Sequence, residues 1–153
     1  MVFRVLWTVL RARRSGLLHL RLAEGAMRLD CLGGRCAVCC ELLGSPLVRE
    51  GELEGFGAEN VVQRGGAVFA KSCSGRCIML SKGLCSIYQN RPAGCREYPF
   101  YNIDGRLYYD AGCPGVRFDR DERPAVEDIT RFEQFFPGVP GFAVKLIKWI
   151  CLH

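Results

Sequence analysis

Apolar residues at positions 2, 3, 5, 6, 7, 9 and 10, and again at 17, 18, 20 and 22, are separated by Ser15-Gly16. Arg4, Arg11, Arg14 and Arg21 recur between them at roughly helical steps. This pattern predicts one or two helices over residues 1–29, with a core-facing side and a solvated basic side; a membrane-surface helix or a transit peptide are rival readings. Ser45 is placed to cap a short helix with Pro46 in its first position. Residues 50–66, rich in Gly and Glu, read as a surface excursion in which Glu50, Glu52 and Glu54 form a solvated face. Gly65-Gly66 marks a turn before a short strand, Ala67 to Ala70.

Two hairpins follow. Ile78-Met79-Leu80 and Leu84 to Tyr88 flank Ser81-Lys82-Gly83, which brings Cys77 and Cys85 near each other. Pro92 and Pro99 bracket about two helical turns that carry Cys95. Tyr98 to Tyr101 and Leu107 to Tyr109 flank the turn at Asn102 to Gly105. In the tail, Pro124 can start a helix through Val126, Ile129, Phe132 and Phe135–Phe136. Pro137 to Gly141 breaks it, and Phe142 to Leu152 forms a last apolar helix with Lys145 and Lys148 on its wetter side.

At 153 residues the chain suits one domain, with an ordinary 49% hydrophobic and 24% charged content. The net charge of +5 changes little. It lies in alternating basic and acidic blocks, not in a stripe, so nucleic acid is not an expected partner. Val5 to Leu10 is too short, and too closely flanked by Arg4 and Arg11, for a secretory signal, and no stretch reaches membrane-span length. A cytoplasmic location is therefore expected.

Ten cysteines do change the picture. In the cytosol dense cysteines point to metal or redox chemistry more than to disulfides, although a disulfide scaffold and buried thiols stand as alternatives. Cys31 to Cys40, CLGGRCAVCC, holds four of them. Cys36-x2-Cys39 is a ligand pair, and Cys31 extends it to C-x4-C-x2-C, a spacing found in some [2Fe–2S] proteins. Gly33 and Gly34 give the loop freedom to fold closely round a cluster. Cys40, beside Cys39, would serve a second metal or a second edge. Cys113, held extended before Pro114, suits a ligand loop. Cys151, among Ile and Leu, reads as a buried thiol. His19 and His153 lie far from these clusters, so any metal is held mainly by sulfur. Arg35, Arg76 and Arg96, each next to a cysteine, are candidates to offset the roughly −2 charge of a four-thiolate site.

The run ending in Cys39-Cys40, the string Gly83-x-Cys85-Ser-Ile-Tyr88-x-x-Arg91-Pro92-x-x-Cys95-Arg96-x-Tyr98-Pro99-Phe100, and the later Cys113-Pro114-Gly115 resemble the YkgJ-type cysteine-cluster family, the CxxCxxCC zinc- or iron-chelating domain. The resemblance covers about residues 31–115 and implies a metal set of Cys31, Cys36, Cys39, Cys40, Cys77, Cys85, Cys95 and Cys113. The first gap is four residues where the family has two, which leaves Cys73 as a second candidate for the place of Cys31. Irregular spacing fits an iron–sulfur cluster better than zinc ribbons, which pair two short knuckles. The expected protein is α+β: a small metal-organised cysteine-cluster core (31–115) with short hairpins and irregular loops, flanked by an N-terminal helical segment (1–30) and C-terminal helices (121–153). Its expected function is to chelate an iron–sulfur cluster or zinc, in electron transfer or metal handling. The signature is also similar to the cysteine cluster of flagellin lysine N-methylases, which makes a metal-dependent enzyme the alternative and a redox or methylation partner protein the implied contact.

Overall fold

The N-terminal amphipathic run is helical only over its first half. In the computed structural model, which describes residues 1–31 and 35–153, helix α1 spans Val2–Arg14. Gly16 (φ 97°) and Leu18 (φ 57°) then turn the chain through the left-handed region. Residues Leu20–Leu22 form strand β1 instead of continuing the expected helix. The cause lies far away in sequence: the backbone N–H groups of Leu18 and His19 donate to the carboxylate of Asp110, which draws this segment onto a sheet. The freedom expected of Gly33 and Gly34 lies outside the described residues.

Strand β2 (Arg28–Leu29), helix α2 (Val38–Leu42) and strand β3 (Leu47–Val48) come next. The helix expected after Ser45 is absent. The Ser45 hydroxyl donates across to the Ala70 carbonyl at 2.9 Å, and the chain enters β3. Helix α3 (Leu53–Phe56) leads to β4 (Val61–Arg64) and β5 (Ala67–Ala70), then to β6 (Ser72–Cys73), β7 (Arg76–Cys77), β8 (Leu80–Ser81) and β9 (Leu84–Cys85). Helix α4 (Ala93–Glu97) precedes β10 (Phe100–Ile103), β11 (Arg106–Asp110), β12 (Val116–Arg117) and the last helix, α5 (Gly141–Leu152).

This is an α+β arrangement with helices near both ends. The strands pair antiparallel as two three-stranded sheets, β1-β11-β10 and β3-β5-β4, and as the ribbons β2–β12, β6–β7 and β8–β9. Both expected hairpins form, with Lys82-Gly83 and Asp104-Gly105 at positive φ as such tight turns demand.

Two further expectations give way to carboxylates. Residues from Pro124 form 3₁₀ turns at Val126–Asp128 and Phe132–Phe135 instead of one helix. Between them Glu97 takes both the N–H and the hydroxyl of Thr130, which holds that residue out of any helix. Glu52 is no solvated side chain either. It accepts from the backbone N–H of Arg49 and Ala93 and pairs with Arg96, so it ties the excursion to α4.

The core has two main parts. One joins Val9 and Ala12 of α1, Leu17, Leu20, Tyr101, Ile103, Phe132, and Ile147 and Cys151 of α5. The other joins Ala37, Cys40, Val48, Phe56, Ala70 and Cys77. Cys39 packs against both, so the cysteine-rich helix α2 lies at their seam.

Candidate metal centre

The clustered cysteines reach the seam on several short elements. Cys39 and Cys40 lie on α2, Cys77 on β7, Cys85 on β9 and Cys95 on α4. Helix α4 rests directly on β3, because a Cβ on Gly94 would come within 2.6 Å of the Leu47 nitrogen. Cys113 follows β11, its N–H bonded to the Asp110 carbonyl at 3.1 Å. The β2–β12 ribbon, extended by Asp30 N–H to the Gly115 carbonyl at 2.7 Å, brings Cys31 beside the Cys113-Pro114-Gly115 loop. That approach requires glycine: a Cβ on Gly115 would sit 2.4 Å from the Asp30 oxygen.

These elements enclose a cavity of about 30 Å³ lined by Cys31, Cys36, Cys39, Cys40, Cys85, Cys95 and Cys113, with Tyr88, Arg91 and Tyr98 among the other walls. Cys77 stands behind this ring, its thiol hydrogen-bonded to that of Cys40. Cys73 is exposed on β6, away from the cavity, and Cys151 is buried in the α1–α5 core. All ten cysteines are free thiols. Among the described residues, no group of three Cys, His, Asp or Glu side chains stands at metal-holding geometry. The thiols face a shared cavity without forming a closed tetrahedral shell.

Their protonation differs in a way that follows from contact and burial. Hydrogen bonds with Cys40 pull both Cys39 and Cys77 down to about 7, while Cys40, bonded to each, is pushed well up. Burial raises Cys95, and lifts Cys113 to about 12. Cys31 is also raised by burial, against the pull of Arg91. The Arg91 guanidinium stands 3.7 Å from the Cys31 sulfur and lies over the Tyr88 ring at 4.1 Å, an aromatic contact that holds the cation at the cavity edge.

The three arginines singled out by adjacency do not line the cavity. Arg35 and Arg76 are exposed, and Arg96 is engaged with Glu52 and the Arg91 carbonyl. Arg91 is the cation in place, and the I-Y-x-x-R-P string carried the signal, since residues three apart share one side of a tight turn.

Asp110 was also missed. Fully buried, it accepts from Leu18 N–H, His19 N–H, Gly112 N–H and the Tyr98 hydroxyl, and so moors both Tyr98 and the Cys113 loop. Arg11, read as part of a solvated face, instead donates to the Glu41 and Gly75 carbonyls at 2.9 Å each, and clamps the end of α2.

No curated protein and no solved structure matches the chain. A family model does match: CxxCxxCC, described as a putative zinc- or iron-chelating domain, over residues 30–114. The matched span runs from just before Cys31 to just after Cys113, and leaves α1 and α5 outside it. It takes in more than half of the 153 residues, and the chain belongs to the CxxCxxCC family.

Proposed function

We propose that Cys31, Cys36, Cys39, Cys40, Cys77, Cys85, Cys95 and Cys113 hold iron or zinc as thiolates, with an iron–sulfur cluster ahead of zinc. The observation that carries this reading is the convergence of seven free thiols, brought by separate segments, on one small cavity. An all-sulfur donor set fits thiophilic zinc or iron and does not fit magnesium or calcium. Eight thiols exceed the four of a single tetrahedral zinc. They would suit a polynuclear centre, or two four-sulfur sites sharing the seam.

The protein supplies more than ligands. Cys39 and Cys77, ionised near neutrality, offer the first thiolates. Cys95 and Cys113 hold their protons tightly, and ionise only when a metal takes the proton's place. Arg91 would offset part of the charge that accumulates, and burial limits solvent access, both of which tune a redox centre. Electron transfer to a partner protein is the activity that such a centre would serve.

Anaerobic purification with elemental analysis, sulfide analysis and absorption spectroscopy tests this. Iron with matching sulfide and a visible band bleached by dithionite is expected. Colourless protein with stoichiometric zinc would favour the structural zinc reading. Metal-free protein that reconstitutes with neither would refute both.

A further inference from the structure

Helices α1 and α5 lie side by side and run the same way. The Met1 methyl abuts Gly138 just before α5, and at the other end the Arg13 guanidinium donates to the Cys151 carbonyl at 3.4 Å. Their inward faces are accounted for by Val9 and Ala12, and by Val144, Ile147 and Cys151, all buried. Their outward faces carry large apolar side chains. Phe3, Trp7 and Leu10 recur at helical spacing on α1, and Phe142, Leu146 and Trp149 repeat the same spacing on α5. Phe3 is 87% exposed and Phe142 75%, with Trp7 and Trp149 each more than half exposed.

The flanks show that the two stripes adjoin. The flank of α1 that carries Arg11 is turned to α2 and Gly75, and the flank of α5 that carries Lys148 is turned to Asp104 and Glu133. The apolar residues occupy what remains, on either side of the helix–helix seam. Soluble monomers seldom present an aromatic surface of this kind without a use for it.

Charge selects the occupant. Neither helix contains an acidic residue. Arg4, Arg14 and Lys145 are exposed there, and among the described residues none of them is in an ion pair. A second copy of this chain would set these cations against themselves. An anionic surface with an apolar layer beneath it matches both properties at once. No described helix is long and apolar enough to cross a membrane, so contact would be interfacial.

We infer that the α1–α5 face is a docking surface for anionic phospholipid bilayers, with Phe3, Trp7, Leu10, Phe142, Leu146 and Trp149 entering the headgroup boundary and Arg4, Arg14 and Lys145 meeting lipid phosphates. The inference is independent of which metal the cysteines hold, because the face lies outside the cysteine-lined cavity.

The chain's two tryptophans both lie on this face, so intrinsic fluorescence reports it directly. The full-length protein as purified is titrated with phosphatidylcholine vesicles containing or lacking phosphatidylglycerol, with co-sedimentation in parallel. A blue shift and co-sedimentation with the anionic vesicles, both weakening as salt rises, are expected. Combining Arg4→Gln, Arg14→Gln and Lys145→Gln should weaken this partition by about 100-fold, at about fivefold per basic side chain. Phe3→Ser with Phe142→Ser should weaken it while leaving circular dichroism and metal content unchanged. Failure to bind anionic vesicles, or equal binding to neutral ones, would overturn the proposal. So would a vesicle-free dimer, seen by sedimentation velocity, that buries both tryptophans.

Discussion

Replacing Asp110 with Asn probes the link between fold and metal centre at one buried group. The carboxylate is fully buried, and each of its partners is a donor: Leu18 N–H at 2.6 Å, His19 N–H at 3.1 Å, Gly112 N–H at 2.9 Å and the Tyr98 hydroxyl at 2.9 Å. Asn preserves shape but turns one acceptor oxygen into a donor. The better of its two orientations keeps the oxygen toward His19 and Gly112, and lets the Tyr98 hydroxyl rotate to accept. Leu18 N–H is then orphaned, at a cost of about 1–3 kcal/mol, and the two remaining bonds lose charge assistance at roughly 1 kcal/mol each. The opposite orientation orphans two N–H groups and is worse.

A net loss of about 3–5 kcal/mol follows, which for a chain of this size lowers the midpoint of thermal unfolding by about 10 °C. Because Asp110 also restrains Tyr98 and the approach to Cys113, Asp110→Asn should reduce bound metal per chain even below its unfolding temperature. Urea melts of the metal-loaded protein, with elemental analysis of the folded fraction, measure both effects. A stability change under about 0.5 kcal/mol would refute the hydrogen-bond reckoning. Full metal content despite the expected destabilisation would refute the positioning role.

Two other outcomes are expected. Cys31→Ser should lower metal per chain while Cys73→Ser leaves it unchanged, since Cys31 lines the cavity and Cys73 lies exposed on β6; equal effects by elemental analysis would reassign the ligand. For the metal-free protein, Cys113 and Cys151 at about 12, together with the raised Cys31, Cys40 and Cys95, keep protons that the unfolded chain gives up near 9.0, so stability falls as pH rises past that value. Cys39 and Cys77, which share the one Cys40 S–H, act oppositely: lowered to about 7, they add stability that is present above 9.0 and lost as pH falls through 7, so urea midpoints should fall on the acid side as well as the alkaline side, and less steeply once metal has displaced the protons.

Local signals were legible and distant captures were not. Lys82-Gly83 and Asp104-Gly105 announce their hairpins because only a few residues accept positive φ, and Pro92 and Pro99 bracket α4. Leu17 to Leu22, Ser45-Pro46 and Pro124 to Phe136 carry equally plausible helical patterns. Each is overruled by a partner remote in sequence: Asp110, the Ala70 carbonyl, and Glu97. The arginines next to cysteines stand off the cavity for a geometric reason. On β7, Arg76 and Cys77 point to opposite faces, and on α4, Cys95 and Arg96 diverge by about 100°. Adjacency to a cysteine therefore directs a side chain away from it, whereas Arg91, extended ahead of Pro92 and α4, reaches the cavity edge through its contacts with Tyr88 and Cys31.

The position of the thiols explains why so short-stranded a chain would need them. Several of its strands are only two residues long, and its core is divided, with Cys39 touching both main parts, Cys113 buried in one and Cys40 and Cys77 in the other. Free thiols at such a seam contribute only the modest burial of a small apolar side chain, and several of them resist ionisation there. A metal bound by the proposed set would cross-link α2, β7, β9, α4 and the loop after β11, so its binding free energy would become folding free energy. The same convergence that suits the thiols to chelation would then make chelation the main tie between the halves of the core. A chelator should accordingly loosen the α2 seam before it disturbs the α1–α5 pair, which Val9, Ala12, Ile147 and Cys151 join, none of them a proposed ligand.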